Sequence, residues 1–233
     1  MPRAYFNTER GMKIIYPSRL MLLLLLAVSF PAFSVKAHNL KDNQQLDAKV
    51  KKFLAEHSSQ WHNMNIPEAD GQLLYDIILR NNYQSALEIG TSTGHSGIWI
   101  AWALSKTGGK LITIEIDEKR HKIALENFRQ AGLAEYIDAR LADAHSLVKE
   151  LKGPFDFVFS DADKNWYKSY FIDIDPRLKV GGCYTSHNVY GENSGYDSWQ
   201  GDYLRYLKSL KNYKTTVNTE GGGMAISYKR AER

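Results

Sequence analysis

Two short segments of the sequence combine acidic, basic and amide side chains in a pattern that could do chemistry. In the first, FDFVFSDADK, a run of apolar residues breaks into Asp161 and Lys164. In the second, GGCYTSHN, a similar run ends in His187 and Asn188. Carboxylate, imidazole and amide groups bind divalent metal ions, and lysine and histidine can also accept a proton from a substrate. The two segments therefore predict a metal site or an acid–base site, if the fold brings them together.

The spacing of apolar residues predicts the elements that position these segments. Short apolar runs typical of strands alternate with amphipathic stretches typical of helices, which predicts a mostly parallel sheet with right-handed crossovers. The predicted strands cover 86–89, 111–116, 136–141, 155–159 and 180–185, and predicted helices cover 46–59, 94–104, 118–131, 145–151 and 166–178. A further helix is predicted to begin at Pro67, and two β-rich runs around 221–223 predict an antiparallel hairpin.

The predicted sheet brings the two chemical segments to the same edge. Open sheets of this kind bind ligands at the carboxyl ends of their strands. If the first five strands are ordered 3-2-1-4-5, strands four and five are neighbours. Asp161 would then converge with His187 and Asn188, although 26 residues separate Asp161 from His187 in the sequence.

The ends of the first three strands carry features of a nucleotide site. The glycine-rich turn LEIGTSTGHSG has the spacing G-x-x-x-G-x-x-G, which does not match the dinucleotide fingerprint. Glu88, just before this turn, could accept a hydrogen bond from a ligand, and Glu115 could accept from both hydroxyls of a ribose. Asp143 suits a contact with an exocyclic amine and a plain helix N-cap equally well, whereas Asp117 is expected to be an N-cap.

The charge balance argues against a nucleic-acid partner. Of the 30 basic and 26 acidic residues in the chain, five basic and one acidic residue lie in 1–37. The remaining 25 basic and 25 acidic residues leave the rest of the chain neutral. A neutral body lacks the basic surface that binds phosphate backbones, so we expect no nucleic-acid partner.

The first 37 residues have the pattern of a targeting segment. A basic start precedes the apolar run 20–30, and small residues follow, with a candidate cleavage site after Ala37. The run is shorter than the roughly 20 residues that a membrane span needs. We expect 1–37 to be a signal peptide or an N-terminal anchor, with Met12 as a candidate true start. The protein is then exported (periplasmic or secreted) or membrane-anchored through this segment alone, and cytoplasmic if the segment is not used.

Taken in order, these segments resemble those of the class I S-adenosylmethionine-dependent O-methyltransferases. The resemblance is to the metal-dependent group that contains catechol and caffeoyl-CoA O-methyltransferases, and it covers roughly residues 60–230. MNIPEADGQLL resembles the segment that enters the cofactor site, LEIGTSTGHSG the methionine-binding loop, and TIEID the ribose site. DADK resembles the metal and base motif, and GGCYTSHNVYG the second metal motif.

The resemblance implies both a fold and an activity for residues 38–233. The fold is an α/β, Rossmann-like sheet of seven mostly parallel strands, ordered 3-2-1-4-5-7-6, with helices on both faces and a C-terminal antiparallel hairpin. The activity is the transfer of a methyl group from S-adenosylmethionine to a hydroxyl of a small, catechol-like aromatic acceptor, assisted by a divalent cation.

The resemblance also implies roles for individual residues. Asp161 and Asn188 would bind the cation, and Lys164 would be the general base near the acceptor hydroxyl. The residues expected around the cofactor are Met64, Ile66, Glu88, Gly90, Ser92, Gly94, Ser96, Glu115, Ile116, Asp143, Ala144 and Asp161. Aromatic residues that could wall a planar acceptor are Trp166, Tyr167, Tyr190, Tyr196 and Trp199.

His187 departs from the family's pattern, because the family usually has Asp at this position. Imidazole suits transition ions better than Mg²⁺ or Ca²⁺, which prefer oxygen ligands, so the identity of the cation (Mg, Ca, Mn or a transition metal) stays open. Asp163 could supply the missing carboxylate. Alternatively, the metal is absent and His187 itself accepts the proton of the acceptor, a role that suits the pKa of histidine.

Two other functions and one assembly state remain open at this point. The chain could be a non-catalytic S-adenosylmethionine-binding protein with a degenerate metal site. It could also be a nicotinamide-dependent oxidoreductase, although the glycine spacing argues against this. The apolar face of the predicted helix 46–59 could bind a partner, so we expect a homodimer.

Overall fold

The computed structural model describes residues 40–62, 64–191 and 199–232. The predicted targeting segment 1–37 and the aromatic residue Tyr196 lie outside these ranges, and what the sequence predicts for them stays a prediction. Within the described ranges, none of the helices combines the length and apolar character that crossing a bilayer requires.

The described residues form one seven-stranded sheet. The strands are β1 (Ser85–Ile89), β2 (Lys110–Glu115), β3 (Ile137–Leu141), β4 (Phe155–Ser160), β5 (Leu178–His187), β6 (Tyr213–Asn218) and β7 (Met224–Lys229). Their order is β3-β2-β1-β4-β5-β7-β6. The first five strands are parallel, and β7 runs antiparallel to both β5 and β6. The predicted fold class and strand order are confirmed.

The helices connect these strands much as the sequence predicts, with two differences. They are α1 (Gln44–Glu56), α2 (Glu68–Asn81), α3 (His95–Thr107), α4 (Glu118–Ala131), α5 (Ala144–Glu150), α6 (Tyr167–Ile174) and α7 (Trp199–Ser209). The helix predicted over 166–178 is shorter as α6, because the next residues form a 3₁₀ turn that contains Pro176, which has no backbone N–H to continue an α-helix. The apolar pattern did not locate α7.

Helices α2 and α3 cover the face of the sheet that matters most for the site. Leu74 and Ile78 of α2 pack in one buried cluster with Phe157 and Phe159 of β4 and Cys183 of β5. Because side chains alternate along a strand, every second residue of β5 after 183 points toward α2. Residue 187 therefore faces the first turn of that helix.

Helices α5, α6 and α7 cover the opposite face, and α1 packs outside α3 and α4. Val50 and Phe53 of α1 are buried in a cluster with Ile98, Trp102 and Phe128. The apolar face of α1 therefore packs within the chain itself. Homodimerisation stays a prediction.

The register of β4 and β5 brings the two chemical segments level with each other. Ser160 of β4 is paired with Ser186 of β5, so the residues that follow, Asp161 and His187, lie side by side at the edge of the sheet. Strand β5 continues as far as His187 because this residue is also paired with Met224 of β7.

Candidate active site

A cleft runs along the carboxyl ends of the parallel strands. It consists of two adjoining cavities of about 380 and 270 Å³, which share Gly90, Glu115 and Ile116. The larger one is also lined by Met64, Asn65, Ser92, Arg120, Asp161, Ala162, Lys164, His187 and Asn188. The smaller one is also lined by Ile114, Ala142, Asp143, Ala144, His145, Asp163 and Tyr170. Most of the predicted site residues thus share one cleft. We call the part lined by Gly90, Ser92, Glu115, Ile116 and Asp143 the cofactor half.

The glycine-rich turn at the start of the cofactor half depends on Gly90. This residue has φ 101°, and a Cβ built on it would lie 2.5 Å from the carbonyl oxygen of Asp161. Only glycine allows both this conformation and this close approach of two backbone segments. The turn therefore brings the ends of β1 and β4 together at the middle of the cleft.

Glu115 is held in place by backbone groups. Its Oε2 accepts the N–H of Ser92 at 2.7 Å, and its Oε1 accepts the N–H groups of Ile116 at 3.1 Å and Asp117 at 2.9 Å. Each carboxylate oxygen has two lone pairs, so these three contacts leave one lone pair, on Oε2, for a hydrogen bond from a ribose hydroxyl. The contact of Glu115 with a ribose stays a prediction.

The two acids that sequence reasoning compared as helix caps both cap helices. Asp117 accepts the N–H of Arg120 at 2.8 Å and caps α4, as expected. Asp143 accepts the N–H of His145 at 2.9 Å and caps α5. Asp143 also lines the smaller cavity, so its capping role does not exclude a contact with a ligand. Asp163, the second candidate carboxylate, caps the turn after β4 by accepting the N–H of Asn165 at 3.0 Å, and lies near His145.

Four residues predicted to bind the cofactor are buried away from the cleft surface: Ile66, Glu88, Gly94 and Ser96. Ile66 packs beneath α2, and Gly94 backs onto the ring of Phe128. Glu88 is fully buried, and its Oε2 accepts from Thr113 Oγ1 at 2.5 Å. Burial raises the pKa of Glu88 to about 8, an increase that its hydrogen bonds with Ser96 and Thr113 only partly offset. These residues shape the turn from below, and any direct contact with a ligand stays a prediction.

The residues at the ends of β4 and β5 form a chain of opposite charges. His187 Nδ1 lies 3.1 Å from Asp161 Oδ2, and His187 Nε2 lies 3.0 Å from Asp70 Oδ2 in the first turn of α2. Asp161 Oδ1 accepts a short hydrogen bond from Lys164 Nζ, which also donates to Tyr167 Oη at 2.6 Å. We call Asp70, Asp161, Lys164 and His187 the charged cluster.

Partial burial makes these contacts strong. The side chains of Asp70, His187 and Asp161 are 1%, 6% and 16% exposed. Burial lowers the pKa of His187, but its hydrogen bonds with Asp161 and Asp70 more than compensate and raise it to about 9. Burial alone would raise the pKa of Asp161. The hydrogen bonds and positive charges of His187 and Lys164 outweigh this effect and hold the pKa of Asp161 below its usual value. Asp161 is therefore ionised and His187 is protonated at neutral pH.

Asp70 is the member of the charged cluster that sequence reasoning missed. It lies four residues before Leu74 and seven before Ile77, on the face of α2 that is buried against the sheet. In addition to its contact with His187, Asp70 accepts a hydrogen bond at 2.7 Å from the N–H of Gly222, in the loop between β6 and β7. An acid on the apolar face of a helix was the available signal, because a buried carboxylate needs a partner.

The predicted aromatic wall divides into two parts. Trp166 stacks on His145 beside the smaller cavity, with ring centroids 4.0 Å apart. Trp199 contacts Tyr167 edge-on at 5.4 Å. A further cavity of about 230 Å³ is lined by Lys164, Tyr167, Trp199 and Tyr203, among others. Lys164 therefore lies between the cleft and an aromatic cavity.

A larger cavity of about 630 Å³ lies elsewhere, between α1, the start of α2 and α3. Trp61, Trp99 and Trp102 line it, together with Ile66 and His95. It includes neither the charged cluster nor Glu115 and is therefore separate from the candidate active site.

A family model described as O-methyltransferase matches residues 37–219, which is most of the chain. The chain belongs to the O-methyltransferase family. This confirms the resemblance noted in the sequence, and with it the prediction that the chain is an enzyme. The match includes every residue of the charged cluster and the cofactor half.

Individual relatives of this O-methyltransferase carry related names. This chain is 28% identical over 218 residues to caffeoyl-CoA O-methyltransferase 2 of Eucalyptus globulus. The alignment covers 91% of this chain and 83% of the plant enzyme. This chain is 45% identical over 104 residues to catechol O-methyltransferase of Niastella koreensis, which covers 43% of this chain and 45% of that enzyme.

Solved structures share its fold. An O-methyltransferase from Bacillus cereus in complex with SAH aligns with a TM-score of 0.63 and 23% identity, over 82% of this chain and 92% of that one. The O-methyltransferase TomG from Streptomyces achromogenes, in complex with SAM, aligns with a TM-score of 0.64 and 23% identity, over the same shares of the two chains.

The divalent cation implied by the resemblance does not fit the donor atoms of this O-methyltransferase. A histidine binds a metal through a lone pair on a deprotonated nitrogen. Both ring nitrogens of His187 face carboxylate oxygens, and ionised carboxylates only accept hydrogen bonds, so both nitrogens carry protons. Asp161 is in turn paired with His187 and Lys164. Across the ranges that the structure describes, no group of three or more His, Cys, Asp or Glu side chains is placed to hold a metal ion.

Proposed function

We propose that this O-methyltransferase transfers the methyl group of S-adenosylmethionine to a hydroxyl of a small, catechol-like aromatic acceptor. The observation that carries the proposal is the position of Lys164, whose side chain lines both the cleft and the aromatic cavity. A cofactor in the cleft and a planar acceptor in the aromatic cavity would meet at this residue. The names of the catechol and caffeoyl-CoA relatives support an acceptor of this class.

In this proposal the cofactor half holds the methyl donor. Glu115 accepts a hydrogen bond from the ribose through Oε2, because backbone N–H groups already fix the direction of its two oxygens. Asp143 and Ala144 lie beside the adenine, in the smaller cavity. The methionine part extends past Gly90 and Ser92, toward Asp161.

The reaction is an in-line displacement at the methyl carbon. The hydroxyl oxygen of the acceptor forms a bond to this carbon while the carbon–sulfur bond breaks, and the electron pair of that bond stays on sulfur. In the resting cluster Lys164 is an ammonium group paired with Asp161. It first releases a proton to water, and its neutral amine then takes the proton of the hydroxyl. The protein contributes mainly alignment, which is worth on the order of 7–11 kcal/mol in favourable cases. The predicted divalent cation supplies no step, because the charged cluster leaves it no site.

Substitution of Lys164 tests the assignment. Lys164→Ala removes the amine, and Lys164→Arg keeps the positive charge but cannot accept a proton at neutral pH. We expect both variants to lose about 100-fold or more in kcat, the usual contribution of a general base. Their affinity for S-adenosylmethionine, measured by calorimetry, should stay near that of the wild type.

The two variants separate three outcomes. An active Lys164→Arg variant beside an inactive Lys164→Ala variant would show that the positive charge matters and that proton acceptance does not. Full activity in both would exclude Lys164 from the chemistry. Cofactor binding by the wild type without transfer to any of a panel of catechols and phenols would favour the alternative, a non-catalytic S-adenosylmethionine-binding protein.

A further inference from the structure

The charges of the charged cluster balance one another. Asp70 and Asp161 carry one negative charge each, and His187 and Lys164 carry one positive charge each. The three contacts that link the cluster join opposite charges: Asp70 with His187, His187 with Asp161, and Asp161 with Lys164. The cluster is therefore neutral as it stands.

The imidazole ring is fixed at both ends, so it cannot turn a nitrogen toward the cleft without losing a partner. Asp70 is itself held by the N–H of Gly222. The ring also packs close to the side of Gly222, since a Cβ on that glycine would lie 2.4 Å from His187 Nε2. The position of His187 is thus set by α2, by β5 and by the loop between β6 and β7.

A divalent cation would have to break this arrangement before it could bind. Of the three predicted ligands, His187 offers two N–H groups and no lone pair, and Asp161 is already paired with two cationic groups. Adding two positive charges to a neutral, partly buried cluster costs free energy unless a proton or an ammonium group leaves. The amide of Asn188 would remain as the third ligand.

We propose that the imidazolium of His187, clamped between Asp70 and Asp161, stands in place of the divalent cation, so that methyl transfer by this protein needs no metal. This inference rests on the proposed function and deepens it. His187 is a positioning residue: it holds Asp161, which holds Lys164 at the boundary between cofactor and acceptor. Asp70 allows the imidazolium to replace the cation, because it provides the second carboxylate that pairs with the ring.

The test measures metal binding and metal dependence separately on the full chain. Chelator-treated wild type is titrated with Mn²⁺ alone, followed by electron paramagnetic resonance, and methyl transfer to a catechol is then measured in excess chelator and in added Mg²⁺, Mn²⁺ or Zn²⁺. We expect the wild type to show no saturable Mn²⁺ binding that depends on Asp161, so its titration should match that of Asp161→Asn. We also expect the same rate in chelator as in each metal.

A matched variant should reverse the behaviour. His187→Asp restores the family's carboxylate beside Asn188, and combining it with Asp70→Asn avoids a cluster of three acids that could prevent folding. The double variant should bind Mn²⁺ saturably and gain about tenfold or more in rate when Mg²⁺ is added, as expected for a cation that stabilises charge at the reacting oxygen.

The outcomes distinguish this inference from the proposed function. A wild type that loses activity in chelator and regains it with a cation would overturn the inference and leave the proposed function intact. So would a Mn²⁺ site in the wild type that depends on Asp161. A wild type that binds cofactor but transfers no methyl group under any condition would contradict the proposed function, and the Mn²⁺ titration would still decide whether the cluster excludes metal.

Discussion

The cofactor half and the charged cluster meet in one cleft but are built in different ways. In the cofactor half, Glu115 and Asp143 accept hydrogen bonds from backbone N–H groups of nearby turns and helix starts. In the charged cluster, side chains bond to other side chains, and Asp70 and His187 are 117 residues apart in the sequence. The first arrangement follows from the local path of the chain, whereas the second depends on the packing of α2 against β5.

This difference predicts which half tolerates change. A backbone donor stays in place when a side chain is replaced, so a substitution in the cofactor half loses one interaction. A charged partner that is removed from the cluster leaves another charge buried without compensation, which costs more. Substitutions should therefore be most damaging in the charged cluster and mildest at the helix caps of the cofactor half.

Removing Asp70 should have the largest effect on stability. Asp70→Ala leaves one side of the buried imidazolium unpaired, and we expect the free energy of unfolding to fall by about 3–5 kcal/mol. Asp76→Ala is the control, because Asp76 lies on the same helix but is only half-buried, and it accepts a hydrogen bond from Gln72 Nε2 at 2.9 Å. This control should change stability by less than about 0.5 kcal/mol. Both are measured by denaturant unfolding.

Cofactor affinity decides whether the two halves are separable. If the folded fraction of Asp70→Ala binds S-adenosylmethionine as tightly as the wild type does, then the cofactor half does not depend on the cluster. A parallel loss of affinity would show that the charges of the cluster also organise the cofactor half, so that the two halves are not separable.

Glu88 provides an intermediate case, because it belongs to β1 but its carboxyl group bonds to the side chains of Thr113 and Ser96. Its pKa in the folded protein is raised from 4.5 to about 8, so the folded state binds this proton more tightly than the unfolded state does. The stability that the neutral Glu88 side chain contributes is fully present below pH 4.5 and is lost as the pH rises through 8. Stability should therefore fall by about 1.4 kcal/mol for each pH unit in this window.

Glu88→Gln isolates this effect, since the amide cannot ionise but keeps an oxygen that can accept from Thr113. Unfolding of both proteins is measured across the window, and the difference between them should grow steadily with pH. A constant difference would show that Glu88 is already ionised in the folded protein, in contrast to the neutral acid expected from its burial.

The same distinction explains what the sequence could predict. The order of the strands and the glycine turn follow from periodicity and local chemistry, and the meeting of Asp161 with His187 follows from two parallel neighbours that end together. Asp70 could not be paired with His187 in advance, because the pairing depends on which turn of α2 lies over which residue of β5. The prediction of a metal site rested on the types of the ligands alone, and these could not reveal Asp70, the second carboxylate, which lies at the other ring nitrogen of His187.

Asp143 should show the smallest effect, and it separates two roles that the sequence could not distinguish. Asp143→Ala and Asp117→Ala each remove an N-cap, so each should cost about 1 kcal/mol of stability. Asp143 lines the smaller cavity, where we place the adenine. If it also accepts a hydrogen bond from the exocyclic amine, Asp143→Ala should weaken cofactor binding about tenfold, while Asp117→Ala should not. Calorimetric titration of both variants with S-adenosylmethionine checks this. Equal affinities would mean that Asp143 is a cap alone and that the adenine is held by the apolar walls and backbone of the cofactor half.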